Sequence, residues 1–474
     1  MQELMKKERR WDSPIWIGLK ILLYLGLLGT FLIGLGKENH ALTTLSRTLG
    51  ICSVTFIISI FLFVSIYGGF AIGRKKSKPI ITSMALATFF TDAITYVELM
   101  IMRTNAASVY AFRLRSISWL LAVFVMQVLM IAIFTYGGNE LFFAINKPEK
   151  SCIVTSSQKK LNMIMRVISK YKKQYKPEAA FDYHEKDICS LIKDYDTVFL
   201  YDVPIEKRTE IVRFCYKENI NIYYNPELHD IIEVNSEYYM LDDVSFLNYK
   251  ADGLRIEQRF MKRCLDLALV LFGGIFALPI GIIAAIAIKR FDGGPVFFKQ
   301  KRATLNGRIF EVYKFRTMKQ NVENKSAQKD DDRITKPGHF LRKTRIDELP
   351  QLINILKGDM SFVGPRPEMI ENVNAYEEQL PEFRYRLRVK GGLTGYAQIA
   401  GKYNTTPKDK LVMDIMYIEN YNILRDIQLI FQTVGVVLKP DSTEAFGVGG
   451  TGEGLKFKYA EGYEPKPSKK KNTK

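Results

Sequence analysis

The stretch of this 474-residue chain richest in reactive side chains is LRKTRIDELPQLINILKGDMSFVGPRPE, residues 341–368. Leu349, Leu352, Ile353 and Leu356 recur at i, i+3, i+4 and i+7, which predicts a short amphipathic helix over about 348–357, ended by Gly358. Pro350 is tolerated only in a first turn. Asp347 and Glu348 then fall at the helix N-terminus, beside free backbone N–H groups and the positive end of the dipole. Two readings of Asp347 stay open. It is an N-cap that stabilises by about 1 kcal/mol, or it is a nucleophile, with Arg342, Arg345 and Arg366 available to neutralise a phosphorylated product.

Just upstream, GGPVFFKQKRATLNGRIFEVYKFRTM (293–318) interleaves short aromatic strands with Arg302, Lys314 and Arg316 among other cations. Arginine forks and lysine point charges spaced by apolar anchors suit a surface that grips phosphates at headgroup level. A solvated basic face lying against anionic lipid is the plainer alternative for any one of them. The glycine-rich run 391–403 reads equally as a backbone cradle for phosphate or nucleobase or as a turn-rich crossing.

These residues need elements to hold them, and the first elements are greasy. Residues 15–36, 50–73, 80–102 and 117–136 each approach the roughly 20 apolar residues that cross a bilayer as helix. The first 145 residues therefore read as a four-helix transmembrane bundle. Basic flanks at Lys6, Lys7, Arg9 and Arg10, at Arg74, Lys75, Lys76 and Lys78, and at Lys147 and Lys150 place both chain ends of this module in the cytoplasm. Asp92 and Glu98 lie inside the third span, where ionisable groups are costly.

From 150 to 245 short apolar runs at 152–154, 197–200 and 220–224 alternate with helix candidates, one of them starting at Pro204, so a Rossmann-like doubly wound domain is expected. Its first turn, Thr155-Ser156-Ser157-Gln158-Lys159, lacks the glycines of a dinucleotide loop, which favours a structural or regulatory module. A second greasy segment, about 263–290, is basic on both sides and carries Pro279 near its middle. A re-entrant helix broken at Pro279 satisfies both facts, whereas a fifth crossing would carry the C-terminal half to the far side.

The excess of 68 Lys+Arg over 50 Asp+Glu, +18, fits an anionic partner and excludes an acidic solvating chain. Five scattered cysteines and four histidines contain no zinc spacing. The tail at 462–474 reads as disordered and basic.

Taken together, KFRTM (314–318), DELPQL (347–352), GDMSFVGPRPE (358–368) and GLTGYAQIAGK (392–402) resemble the bacterial sugar transferase family, the monotopic polyprenyl-phosphate phosphoglycosyl transferases. The resemblance covers about 258–440, leaves 441–474 as a C-terminal extension, and with the preceding modules looks like the long form of that family. One departure is that Leu278 precedes Pro279, where several relatives carry a polar or basic residue. The resemblance implies an α/β monotopic catalytic domain with a re-entrant helix at the cytoplasmic face of the bacterial inner membrane. It implies transfer of sugar 1-phosphate from a UDP-sugar to undecaprenyl phosphate, with release of UMP and initiation of exopolysaccharide, capsule or O-antigen units. By the same analogy Asp347 is the nucleophile, Asp347 and Glu348 are the Mg²⁺ ligands, and Arg302, Lys314, Arg316, Arg342, Arg345 and Arg366 bind substrate. Membrane lipid and a second copy of the chain are expected partners, and nucleic acid is not. The competing readings are an inverting glycosyltransferase that uses a carboxylate as base, and an inactive membrane scaffold for polysaccharide assembly.

Overall fold

The structure, a computed structural model, describes residues 14–106, 117–249, 253–319, 331–401 and 406–437 with Leu455 and Phe457, less the side chains of 103–106 and 436–437. The basic flank before the first helix, Arg113, Arg115 and the tail at 462–474 lie outside the described residues. Two compact units divide at Asn225/Pro226, and Leu455 and Phe457 count with the first.

The first unit opens with four long apolar helices, α1 (Pro14–Gly36), α2 (Arg47–Tyr67), α3 (Ser77–Ala106) and α4 (Ile117–Ile145). Ser46 caps α2 by accepting from the Leu49 N–H, and Gly68 at φ +89° ends it, so its boundaries are set locally. Trp16 packs on Phe142, Phe31 on Phe56 and Phe63 on Phe90, with ring centroids 5.2–5.4 Å apart. The opposite faces stay apolar too: Ile33 is 67% exposed and Ile133 71%. A helix apolar all round has no water-facing side, so these four, with a later helix at Ile256–Asp292, fit a membrane protein.

The same unit continues with β1 (Glu149–Thr155), α5 (Gln158–Ile168), β2 (Tyr175–Asp182), α6 (Ile188–Ile192), β3 (Thr197–Leu200), α7 (Ile205–Lys217) and β4 (Asn221–Tyr224). The four strands form one parallel sheet in the order β2-β1-β3-β4. Successive β1 residues serve opposite faces: Cys152 and Val154 pack with Ile188, Ile192 and Ile211, while Ile153 packs with Leu161, Ile168 and Ala180. Strand β2 was not expected from the sequence. It holds Pro177 and bulges against Ser151/Cys152, and both features are tolerated because β2 is an edge strand.

The second unit begins with α8 (Leu228–Val234) and the hairpin β5 (Glu237–Leu241) and β6 (Val244–Asn248). Helix α9 (Ile256–Asp292) follows and runs through Pro279 without interruption. Next come the antiparallel pair β7 (Phe297–Ala303) and β8 (Ile309–Phe315), α10 (Lys336–Lys343), a 3₁₀ turn at Ile346–Glu348, α11 (Gln351–Lys357) and β9 (Ser361–Val363). The chain closes with α12 (Ile370–Glu377), a 3₁₀ stretch at Pro381–Arg388, β10 (Gly392–Thr394), α13 (Tyr396–Ala400), α14 (Pro407–Glu419) and α15 (Ile423–Val437).

Both ends of α9 are bolted to this unit. Lys262 Nζ donates to Asp426 Oδ2 at 2.6 Å and to the Tyr417 hydroxyl at 3.0 Å, and Asp266 Oδ1 accepts from Ser361 Oγ and the Phe362 N–H. Arg263 donates to the carbonyls of Ile355 and Leu356, capping α11. At the far end Ala284 and Ile288 pack with Phe315 and Leu341, and Asp292 takes a two-pronged ion pair from Arg316.

The sequence gives one continuous helical pattern over 411–439. The structure breaks it into α14 and α15 at Asn420–Asn422, where Asn422 Oδ1 accepts from the Arg425 N–H and starts the second helix. The glycine-rich run proves to be a close crossing: a Cβ on Gly392 would stand 2.1 Å from Gly364 N, and one on Gly395 2.1 Å from Gly364 O. Strands β9 and β10 pair in parallel across it.

Candidate active site

Asp347 does not sit on the first turn of α11, as the leucine spacing implied. It occupies a separate 3₁₀ turn before that helix, and Pro350 stands at the N-cap of α11. The turn is entered through Arg345 at φ +59°, a left-handed conformation that costs a non-glycine residue strain of order 1 kcal/mol and is kept where a site needs it. The Arg345 carbonyl then accepts from the Glu348 N–H at 3.2 Å. Asn354 fixes the next helix to β8, accepting from the Tyr313 N–H and donating to the Glu311 carbonyl. Lys314 on β8 is thereby set opposite Glu348.

Glu348 is the anchored member of the acidic pair. Its Oε1 accepts from Lys314 Nζ at 2.9 Å and from Arg366 Nη2 at 2.7 Å, and the side chain is 12% exposed. Burial alone would push its pKa up, but Arg366 and Lys314 hold it well below the usual carboxylate range. Glu348 in turn raises Arg366, while burial lowers Lys314.

Asp347 is the free member. Its Oδ1 is buried and has no hydrogen-bond partner, so the reading of that oxygen as a helix cap is not what the structure shows. Burial first, and the neighbouring Glu348 second, raise its pKa, with Lys314, Arg342 and Arg345 pulling it back. One carboxylate is thus spent on holding cations, and the other keeps an oxygen bare beside them. A desolvated, unbonded carboxylate oxygen under the electrostatic influence of Lys314, Arg342 and Arg345 is equipped to attack an electrophilic phosphorus.

The remaining sequence candidates divide. Arg342, on α10, and Arg345 influence Asp347 electrostatically and have no side-chain hydrogen bond or ion pair among the described residues, which leaves both available to a phosphate. Arg302 lies near Arg366 and Glu348, donates to the Pro367 carbonyl at 2.9 Å and to Gln300 Oε1 at 2.5 Å, and is pushed down to about 10 by burial and by Arg366. Arg316 is committed elsewhere: besides Asp292 it donates to the Pro295 carbonyl, so it fastens the end of α9 to the hairpin. Pro279 lies inside α9, and the helix continues past it.

Sequence reasoning missed the buried chain behind the site. Arg386, 3% exposed, pairs with Asp414 Oδ2 at 2.7 Å and donates to the Arg366 carbonyl at 2.9 Å. Glu368 accepts from Lys410 at 3.3 Å. The only cue was that Arg366 and Glu368 share one short motif, because Arg386, Lys410 and Asp414 come from distant turns of the chain.

The opposed pKa shifts carry a sign that can be checked. Because Arg345 lowers the Asp347 pKa, Arg345→Gln is expected to move the acid limb of the kcat profile to higher pH. An unmoved limb would show that a different group sets it.

The described residues gather no trio of His, Cys, Asp or Glu that could cage a metal. The bare Asp347 oxygen beside Glu348 does fit Mg²⁺, which is held through one or two carboxylates and completes its shell with substrate phosphates and water.

Residues 257–440 match the family model described as bacterial sugar transferase. A UDP-glucose:undecaprenyl-phosphate glucose-1-phosphate transferase of Caulobacter vibrioides is 39% identical over 197 residues, 40% of this chain and 73% of the relative. A UDP-N-acetylgalactosamine-undecaprenyl-phosphate N-acetylgalactosaminephosphotransferase of Aeromonas hydrophila is 41% identical over 186 residues, 38% of this chain and 44% of the relative. An undecaprenyl-phosphate galactose phosphotransferase of Salmonella typhimurium is 34% identical over 217 residues, 42% of this chain and 45% of the relative. The matched part of the chain thus spans less than half of the latter two.

Proposed function

We propose that this chain, which belongs to the bacterial sugar transferase family, moves a sugar 1-phosphate from a UDP-sugar to undecaprenyl phosphate through a covalent intermediate on Asp347. The observation that carries the reading is the bare, buried Asp347 oxygen beside a Glu348 locked by Lys314 and Arg366. In the first step Asp347 attacks the β-phosphorus, the bond from that phosphorus to the bridging oxygen breaks, and UMP leaves with the oxygen. In the second a lipid phosphate oxygen attacks the same phosphorus, and the Asp347 carboxylate is expelled intact, leaving the lipid diphosphate sugar.

The chemistry favours two steps. A phosphate monoester is largely dianionic near neutral pH, its second pKa being about 6, so it needs no general base, and a carboxylate beside it would only repel it. Arg342 and Arg345 offset charge on the donor, and Lys314 and Arg366 keep Glu348 from turning on it. When bound, Mg²⁺ would be held by Asp347 and Glu348 and would screen the donor phosphates.

The path of α9 supports catalysis on the inner leaflet. Between Val270 and Ala284, both buried against the second unit, no residue is buried, and those 13 residues span about 20 Å as helix. A hydrocarbon core is about 30 Å thick. The exposed stretch is shorter than that and one folded unit grips both ends, which supports an α9 that stays with one leaflet over a crossing. Basic residues on both sides, Arg259 and Arg263 before, Lys289 and Arg290 after, support a cytoplasmic placement of that face.

The names of the three relatives differ in sugar, so the donor is open to test. The full chain in detergent with undecaprenyl phosphate and Mg²⁺ is expected to release UMP from one or more of UDP-glucose, UDP-galactose and UDP-N-acetylgalactosamine. Absence of UMP from every UDP-sugar offered would favour a scaffold role.

A further inference from the structure

We propose that Arg386 and Asp414, buried behind the site, are positioning residues for the transfer: they aim Arg366 at Glu348 and so help keep Asp347 bare. The assignment rests on the reaction proposed for Asp347 and extends it to residues far from it in sequence. A side chain leaves the backbone in a direction set by the two planar peptide units that flank its Cα. For Arg366 both units are held. The Pro365 carbonyl, in the unit before, accepts from the Gly392 N–H at 2.9 Å, and the Arg366 carbonyl, in the unit after, accepts from Arg386 Nη2 at 2.9 Å. One residue further on, the Pro367 carbonyl accepts from Arg302 Nη1 at 2.9 Å. Pro365 and Pro367 fix φ on either side, and Pro367 disfavours a helical Arg366. From this frame Arg366 Nη2 reaches Glu348 Oε1 at 2.7 Å.

The tether from Arg386 is built from buried charge. Its guanidinium is 3% exposed, lies over the Phe383 ring at 4.8 Å from the centroid, and gives Nε and Nη2 to Asp414 Oδ2 at 2.9 and 2.7 Å. Asp414, on α14, is 1% exposed. A buried ion pair does little better for stability than apolar side chains of the same volume, so burying one here calls for another use. That use is the rigid fork, which turns one nitrogen to the carboxylate and to the Arg366 carbonyl together, a geometry that lysine lacks. The other charges facing Arg386 are Glu368, whose Oε1 stands 3.9 Å from Nη1, and Lys410, which holds that same oxygen at 3.3 Å. An Arg386 loosened from Asp414 has Glu368 as its alternative, and turning to it releases the Arg366 carbonyl.

A double-mutant cycle on UMP release tests this, with the full chain in detergent, undecaprenyl phosphate, Mg²⁺ and a UDP-sugar that the parent turns over, well below each variant's unfolding midpoint. Arg386→Lys keeps the charge but not the fork. It should lower kcat about tenfold or more while KM for the donor changes by less than about threefold, since Arg366 faces Glu348 rather than the donor. In the Glu348→Gln background the carboxylate that Arg366 grips is gone, and the same substitution should cost less than about threefold. A merely structural role would cost the same factor in both backgrounds. Equal costs, a kcat within about threefold of the parent's, or a loss carried by KM alone overturns the proposal. Should Arg386→Lys fail to fold, Asp414→Asn, which weakens the grip on Arg386 at nearly unchanged shape, decides the point in the same cycle. A parent that releases no UMP from any UDP-sugar sinks the transfer reaction itself, a different failure from equal costs in an active parent.

Discussion

Asp347→Asn is expected to lower UMP release by about 10⁴-fold or more, to the background of the assay, while leaving the fold intact. The substitution is nearly isosteric and removes the nucleophilic charge. It breaks no described hydrogen bond of Oδ1, since that oxygen has none. Thermal unfolding of the variant should match that of the parent or lie slightly above it. The sign follows from the raised pKa: burial and Glu348 make the ionised form of Asp347 costly in the folded state, so neutralising it relieves that cost. A variant that keeps a tenth of the activity would remove Asp347 from the nucleophile's role. In an inverting glycosyltransferase the same substitution would also cost activity, but no phosphate would ever be attached to the chain.

Glu348→Gln should reduce kcat by about 10²-fold, in line with the loss of a charged group that orients a reactive neighbour. The amide of Gln still offers one acceptor oxygen but no charge, so Lys314 and Arg366 are held more weakly and are freer to pair with Asp347, occupying the oxygen that must attack. Glu348 also raises the Asp347 pKa, so its removal should move the acid limb of kcat to lower pH, opposite to Arg345→Gln. Both variants are measured in one pH series, and shifts of the same sign would contradict the charge map drawn above.

The paired shifts also order two acid transitions. Glu348 has a depressed pKa, so its ion pairs contribute stability that is present above the unfolded carboxylate's value, about 4.3, and is lost only as pH falls through its lower folded value. Asp347 protonates first, at a value above the ordinary aspartate range. Acid should therefore silence the enzyme before it loosens the Glu348 cluster.

What the chain disclosed in advance follows from range. Apolar length is a local property, so the long N-terminal helices and α9 could be read directly, as could the alternation that became β1, β3 and β4. The reactive pair was visible because Asp347, Glu348 and Arg366 lie within 20 residues of one another. Its local geometry was not: the leucine period continues through 349–356, yet the αL residue Arg345 and Pro350 insert a 3₁₀ turn before the helix can start. Partners distant in sequence were hidden altogether. Arg316 looked like a phosphate ligand because nothing in the local motif announces Asp292, and Arg386 was passed over because its meaning depends on Asp414 and on the Arg366 carbonyl. Strand β2 escaped because Pro177 reads as a breaker until its edge position is known.

The most direct measurement is the mass of the intact chain after incubation with a UDP-sugar and Mg²⁺ in the absence of undecaprenyl phosphate. The account predicts a gain equal to one sugar phosphate, mapped by proteolysis to the peptide that contains Asp347, together with about one UMP per chain and loss of the adduct when the lipid is added. Unmodified protein that releases UMP only once lipid is present would contradict it.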